Sequence, residues 1–164
     1  MQPHPPIVAV VGASACTGAQ AALAEAVGRL LAERGAILVC GGLGGVMEAA
    51  CRGAQAAGGT TIGLLPGEDP RQANPYVTLP LPTGLGHGRN ALVVLAGQAI
   101  IAVGGGGGTL SEIGLGLRCG RPVIGLGTWG LLQPDGNPPA LLVVETPEQA
   151  VALALDPARM KPPL

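Results

Sequence analysis

Ala99-Ile100-Ile101-Ala102-Val103-Gly104-Gly105-Gly106-Gly107-Gly108-Thr109-Leu110-Ser111-Glu112 decides how this chain is read. Five apolar residues form a strand, five glycines follow, and then a hydroxyl and a carboxylate open a helix of small residues. Glycine has no Cβ, so its backbone N–H groups can turn outward and approach a ligand closely. A helix N-terminus directly behind adds unpaired N–H donors and roughly half a unit of positive charge. Strand, glycines and helix in this order predict a site for an anion, most often a phosphate.

The same alternation runs along the rest of the chain. Residues 7–11 are a β-branched run and predict a buried strand; 17–34 predict a helix, opened by a Thr17-x-x-Gln20 capping box and ended by Gly35. Strand 37–40 leads through Gly41-Gly42-Leu43-Gly44-Gly45 into helix 46–57, and 61–65 is a third strand. A Pro- and Asp-rich loop follows at 66–75, then a short strand at 76–81. The glycine-rich Thr83-Gly84-Leu85-Gly86-His87-Gly88 leads into helix 89–97. After strand 99–103 come helix 109–119, strand 123–126, a turn-rich loop and strand 141–144. A second capping box, Thr146-Pro147-Glu148-Gln149, opens the last helix, to about residue 155. The Pro-rich tails, 1–6 and 157–164, are expected to be loose, and the whole of 1–164 to form one domain.

Strands alternating with helices give an α/β class, a mainly parallel sheet with helices on both faces. Ligands of such sheets bind beyond the carboxyl ends of the strands. Gly12, Gly41 to Gly45 and Gly104 to Gly108 all fall there, so these clusters are expected to converge on one cleft, with Gly84 to Gly88 beside them. Residues 91–96 and 113–117 carry no polar stripe, and a helix apolar all round must be covered on more than one side. A homodimer or higher homo-oligomer joined through these helices is the expectation.

Composition narrows the function. Hydrophobic residues make up 48% and charged ones 12%, with one Trp, one Tyr and no Phe, so the core is built of Val, Leu, Ile and Ala. A net charge of −1 without a basic run, and the lack of aromatic stacking platforms, argue against nucleic acid as a partner. No apolar run approaches the ~20 residues needed to span a bilayer, and residues 1–6 lack a basic and an apolar region of a signal peptide. No membrane partner and a cytoplasmic location are expected. Cys16, Cys40, Cys51 and Cys119 show no paired spacing, and there are two His, so no metal site is predicted. The four thiols read as buried and reduced, with Cys16 close enough to a helix start for its acidity to rise.

Three familiar motifs fail. The turn after the first strand, Gly12-Ala13-Ser14-Ala15-Cys16-Thr17-Gly18, is not a dinucleotide G-x-G-x-x-G, and no acid ends the second strand. A Walker loop needs a Lys behind its glycines, and the sole Lys is Lys161 in the tail. The same absence excludes a pyridoxal-phosphate Schiff base.

Gly41-Gly42-x-Gly44-Gly45-Val46-Met47-Glu48-Ala49-Ala50 followed by Gly105-Gly106-x-Gly108-Thr109-x-x-Glu112 resembles the LONELY GUY (LOG) family, also labelled lysine decarboxylase-like. The resemblance covers the Gly12 turn to about residue 129. With Gly86-His87-Gly88-Arg89-Asn90, and Gly in place of the Pro that opens the family motif, the chain resembles a small bacterial branch, itself similar to a molybdenum-cofactor carrier protein. The resemblance implies a Rossmann-like three-layer fold. It also implies phosphoribohydrolase chemistry, in which a nucleoside 5′-monophosphate is cleaved to free base and ribose 5-phosphate. By matching position it gives Glu112 and Arg89 as the catalytic pair, and it puts Asn90 where the family has Lys, which removes a positive charge. A carrier for a phosphorylated nucleotide-like or pterin-like ligand, such as the molybdenum cofactor, is the first functional expectation; the phosphoribohydrolase is the alternative.

From the residues alone Glu112 has two readings. Thr109-x-x-Glu112 fits a capping box, and a carboxylate there could equally stabilise a ribosyl cation or orient water, as in glycosidases. Arg89 reads as a surface side chain or as a planar fork for a phosphate. Glu48 reads first as a helix-start charge, and His87 as exposed between glycines or touching a ligand. The hydroxyls of Ser14 and Thr109 cap helices and can also bond a phosphate. The expected phosphate-binding set is Gly12, Ser14, Gly41, Gly42, Gly44, Gly45, Gly105, Gly106, Gly107, Gly108 and Thr109, with Glu48 and His87 beside it.

Overall fold

A computed structural model describes residues 4–161; the outermost parts of both expected tails, residues 1–3 and 162–164, lie outside it. The strands are β1 (Ile7–Gly12), β2 (Ile37–Cys40), β3 (Thr61–Leu65), β4 (Leu79–Pro82), β5 (Ala99–Val103), β6 (Val123–Leu126) and β7 (Leu141–Val144). The helices are α1 (Gly18–Glu33), α2 (Val46–Ala56), α3 (Arg89–Ala96), α4 (Gly107–Arg118) and α5 (Pro147–Ala154). All seven strands join one sheet in the order β4-β3-β2-β1-β5-β6-β7, and every pairing is parallel. This is the Rossmann-like α/β fold that was expected. Strand order reverses between β1 and β5, where Gly12 pairs with Val103, and a crevice opens at such a point.

The continuous apolar runs of β1 and β5 follow from burial on both faces. Val8, Val10, Ile101 and Val103 face α1, α2 and α5, where Val27, Leu31, Ala50, Cys51 and Val151 complete the larger core. Ala9, Val11, Ile100 and Ala102 face α3 and α4, against Val93, Val94 and Ile113. Both capping boxes form, Thr17 with Gln20 and Thr146 with Gln149. Helices α1 and α2 cross in close contact: a Cβ on Gly28 would stand 1.9 Å from the Ala50 carbonyl oxygen, and one on Gly53 1.9 Å from that of Glu25. The Arg52–Glu25 ion pair, 2.7 Å, clips the same crossing from its solvent side.

Three expectations are corrected. The strand expected at 76–81 begins only at Leu79, because Thr61 spends its groups on side-chain pairing: its hydroxyl donates to the Tyr76 carbonyl (2.8 Å) and its N–H to Thr78 Oγ1 (3.2 Å). Helix α4 starts two residues early, at Gly107, with Gly106 as its cap and no side-chain cap bond. The capping-box reading of Thr109 and Glu112 therefore falls. Cys119, expected to be buried, is exposed at the end of α4, whereas Cys40 and Cys51 are buried with sulfurs 3.5 Å apart.

β4 is an edge strand of alternating sequence, Leu79-Pro80-Leu81-Pro82. The N–H of Thr83 donates to the Leu65 carbonyl (3.1 Å). Successive N–H groups of a strand point to opposite sides, so Pro80 and Pro82 stand where the nitrogens face away from the sheet. Near the termini, the Pro6 carbonyl accepts from Ile37 and the Lys161 N–H donates to the Gln98 carbonyl. No described helix is long and apolar enough to cross a membrane.

Candidate functional site

A cleft of about 580 Å³ opens at the carboxyl ends of β1, β2 and β5. Its volume falls in the range of small-molecule sites, roughly 300–1,000 Å³. Gly12, Ser14, Gly41, Gly106, Gly107, Gly108, Thr109, His87, Arg89 and Glu112 all line it, so the glycine clusters do converge. Gly42, Gly44, Gly45, Gly105 and Glu48 of the expected set do not line it. Gly42 and Gly45 shape the turn behind it, with φ of +74° and +64°. Glu48 is half-buried in the first turn of α2.

One end of the cleft is built from backbone. The first intrahelical bond of α4 runs from Leu110 N–H to the Gly106 carbonyl (3.0 Å). The N–H groups of Gly107, Gly108 and Thr109 thus have no helical acceptor, and the helix dipole places partial positive charge there. The early start of α4 does more than lengthen it. It moves Glu112 into the second turn, on the side facing the sheet, where it is 6% exposed.

Arg89 lines the same cleft. It is 8% exposed and starts α3. One terminal nitrogen donates to the Gly41 carbonyl (3.3 Å) and the other to Asn90 Oδ1. Its Nε is buried without a partner. Gly41 leaves room for this placement, because a Cβ there would fall 2.5 Å from the guanidinium. An orphaned N–H in a buried cation is costly unless a ligand satisfies it. Burial pulls the Arg89 pKa down, opposed by the negative charge of Glu112 and by Cys40. Burial raises the Glu112 carboxyl to about 7, and Arg89 opposes that rise. The cleft thus holds a fixed cation and a carboxyl that can give or take a proton at neutral pH.

Several contributors carried no local signal in the sequence. Asn74 lies in the Pro-rich loop, yet it is buried and clamps the Gly42–Leu43 turn: its Nδ2 donates to the Leu43 carbonyl (2.9 Å) and its Oδ1 accepts from Tyr76 N–H (3.1 Å). Leu43, Met47 and Pro66 supply an apolar wall. Asn90, where the resemblance has Lys, serves as a brace for Arg89. Among the described residues no three His, Cys, Asp or Glu side chains gather as a metal cage.

Known proteins share much of this sequence and fold. An uncharacterized protein of Archaeoglobus fulgidus is 39% identical over 148 residues, covering 88% of this chain and 91% of its own. The solved molybdenum cofactor binding protein of Rippkaea orientalis superposes with a TM-score of 0.84 at 36% identity, over 92% of this chain and 95% of that one. The molybdenum cofactor carrier protein of Chlamydomonas reinhardtii gives a TM-score of 0.79 at 35% identity, over 91% and 95%. Residues 5–151 match the SLOG cluster4 family, and the chain belongs to it.

Proposed function

We propose that this protein binds and carries a phosphorylated small molecule bearing a planar ring, of nucleotide or pterin type, with the molybdenum cofactor as its leading cargo. The observation that carries the reading is the buried guanidinium of Arg89, with an unpaired Nε, in the same cleft as the free N–H groups of α4. Together they form an anion clamp, which a phosphate fits. The solved carrier and binding proteins of similar fold support the choice of cargo. A pterin cargo that brings its own metal asks the protein for phosphate donors and ring contacts, and not for metal ligands.

Calorimetry with GMP, guanosine and ribose 5-phosphate tests the clamp. GMP and ribose 5-phosphate are expected to bind, and guanosine to bind at least tenfold more weakly. Equal affinity for guanosine and GMP would refute it. Molybdopterin retained through anaerobic purification, and released on denaturation, would identify the cargo.

Glu112 favours a second reading. A carboxyl with pKa about 7 beside a phosphate site is placed to protonate a leaving base or orient water in N-glycosidic cleavage. Base release from nucleoside 5′-monophosphates, abolished in Glu112→Gln, would establish turnover.

The protein acts as a homo-oligomer in this proposal. Between Arg71 and Arg118 the only Asp, Glu, Lys or Arg residues are Arg89 and Glu112, and both are buried in the cleft. The surface of β4, α3 and α4 before Arg118 is therefore without charged side chains, while Leu79, Leu81, Leu85 and Leu92 are exposed. Surfaces of this kind mark interfaces. Sedimentation at micromolar concentration is expected to show a dimer or larger species.

A further inference from the structure

A second cavity, of about 280 Å³, lies beside the glycine turn that leads into α4, and is lined by Gln20, Gly104, Gly105, Gly127, Thr128 and Trp129. We propose that this cavity receives the planar ring of the ligand, stacked on Trp129, and that Gln20 selects rings carrying an oxo group. The proposal rests on the reading of the main cleft as the phosphate site.

Trp129 is the sole tryptophan, and one of two aromatic residues in the chain. A side chain of this size would be expected in the core, yet it is 39% exposed at the rim of the cavity. It is not adrift there, since its indole Nε1–H donates to the Gly106 carbonyl (3.2 Å). Gly106 lines the main cleft, so one hydrogen bond ties the indole to the anion-binding turn. Thr128 Oγ1 donates to the Gly104 carbonyl and fixes the approach to Trp129 from the other side. A tethered indole beside a phosphate cradle has the geometry of a stacking platform.

The facing wall is bare peptide. Gly104 and Gly105 have φ of +54° and +122°, and side chains there would collide: a Cβ on Gly104 would lie 2.4 Å from Gln20 Nε2, and one on Gly105 2.5 Å from the Thr109 Cβ. Ring and phosphate would thus sit on either side of one glycine turn, the linking sugar or side chain crossing its crest.

Gln20 supplies direction. Its Oε1 accepts from the Thr17 N–H (3.0 Å), which can only donate, so the amide orientation is set by the capping box. The other end, Nε2, is a donor and lies at the Gly104 wall. A donor there complements a ring carbonyl, such as that of guanine or an oxo-pterin, and opposes the exocyclic amine of adenine.

The test uses Trp129 as its own reporter, with GMP, AMP and ribose 5-phosphate as probes. GMP is expected to change the tryptophan emission and to bind about tenfold tighter than AMP. Trp129→Ala is expected to weaken GMP about 5- to 150-fold, weaken ribose 5-phosphate far less, and be rescued by Trp129→Phe. Gln20→Glu keeps the helix cap but removes the donor, and is expected to abolish the preference for GMP over AMP. Ribose 5-phosphate binding with Trp129→Ala indifferent toward GMP would overturn the ring site alone. Failure of ribose 5-phosphate and GMP alike to bind the wild-type protein would overturn the phosphate reading and the ring site with it.

Discussion

Replacing Glu112 with Gln should stabilise the protein, and by an amount that depends on pH. The folded protein holds the Glu112 proton up to about pH 7 because burial penalises the charge; in the unfolded chain the group releases it near its ordinary value of 4.5. The folded state therefore binds more protons between these values, and stability falls as pH rises through that window. Each unit of pKa difference is worth about 1.4 kcal/mol, so ionised Glu112 costs about 3 kcal/mol at pH 8 and almost nothing at pH 4. Gln keeps the shape and never ionises. In a domain of this size 1 kcal/mol moves Tm by about 2–4 °C, so the variant should gain about 6–12 °C over wild type at pH 8, shrinking toward zero near pH 4. Calorimetric or fluorimetric melting of both proteins across pH 4–8 measures this directly. Arg89 remains charged throughout, so its influence on the variant does not vary over the range. A difference in Tm that is the same at both ends would refute the buried, proton-holding carboxyl.

Arg89→Ala should weaken phosphorylated ligands about 10- to 150-fold, the worth of one charge-assisted hydrogen bond, and Arg89→Lys should restore little, since a point charge cannot reach both the Gly41 carbonyl and the ligand; titration calorimetry reads both. Gly41→Ala should mimic Arg89→Ala in binding while leaving most stability intact, because its Cβ would displace the guanidinium and not the core. Gly28→Ala should do the reverse, lowering stability by about 3 kcal/mol through overpacking against the Ala50 carbonyl, which denaturant unfolding would show.

The order of elements was legible because buried parallel strands are near-continuous apolar runs, each punctuated by glycine, as at Ile100 to Gly104. The convergence of Gly12, Gly41 and Gly106 to Gly108 followed from topology once the sheet was parallel. The start of α4 was misplaced because two glycines at a helix start look like loop in sequence, whereas tertiary packing of Thr109 and Glu112 overrides their poor propensity. Capping-box spacing at Thr109 was then a coincidence of composition, while at Thr17 and Thr146 the same spacing formed the cap. Asn74 and Trp129 lie in irregular loops, where no periodicity reports what a side chain meets across a gap of more than twenty residues.

The two outward-facing prolines of β4 decide how this edge of the sheet can meet other chains. A bare edge strand offers a ladder of donors and acceptors to any extended peptide, and so invites recruitment into a neighbour's sheet or a fibril. Here Pro80 and Pro82 erase the donors along that border, and a visiting strand would find carbonyls without matching N–H groups. Exposed leucines at Leu79 and Leu81 can then attract a partner without the hazard of open-ended growth. Self-association through this region is confined to face-on contact, which can close on itself as a finite assembly.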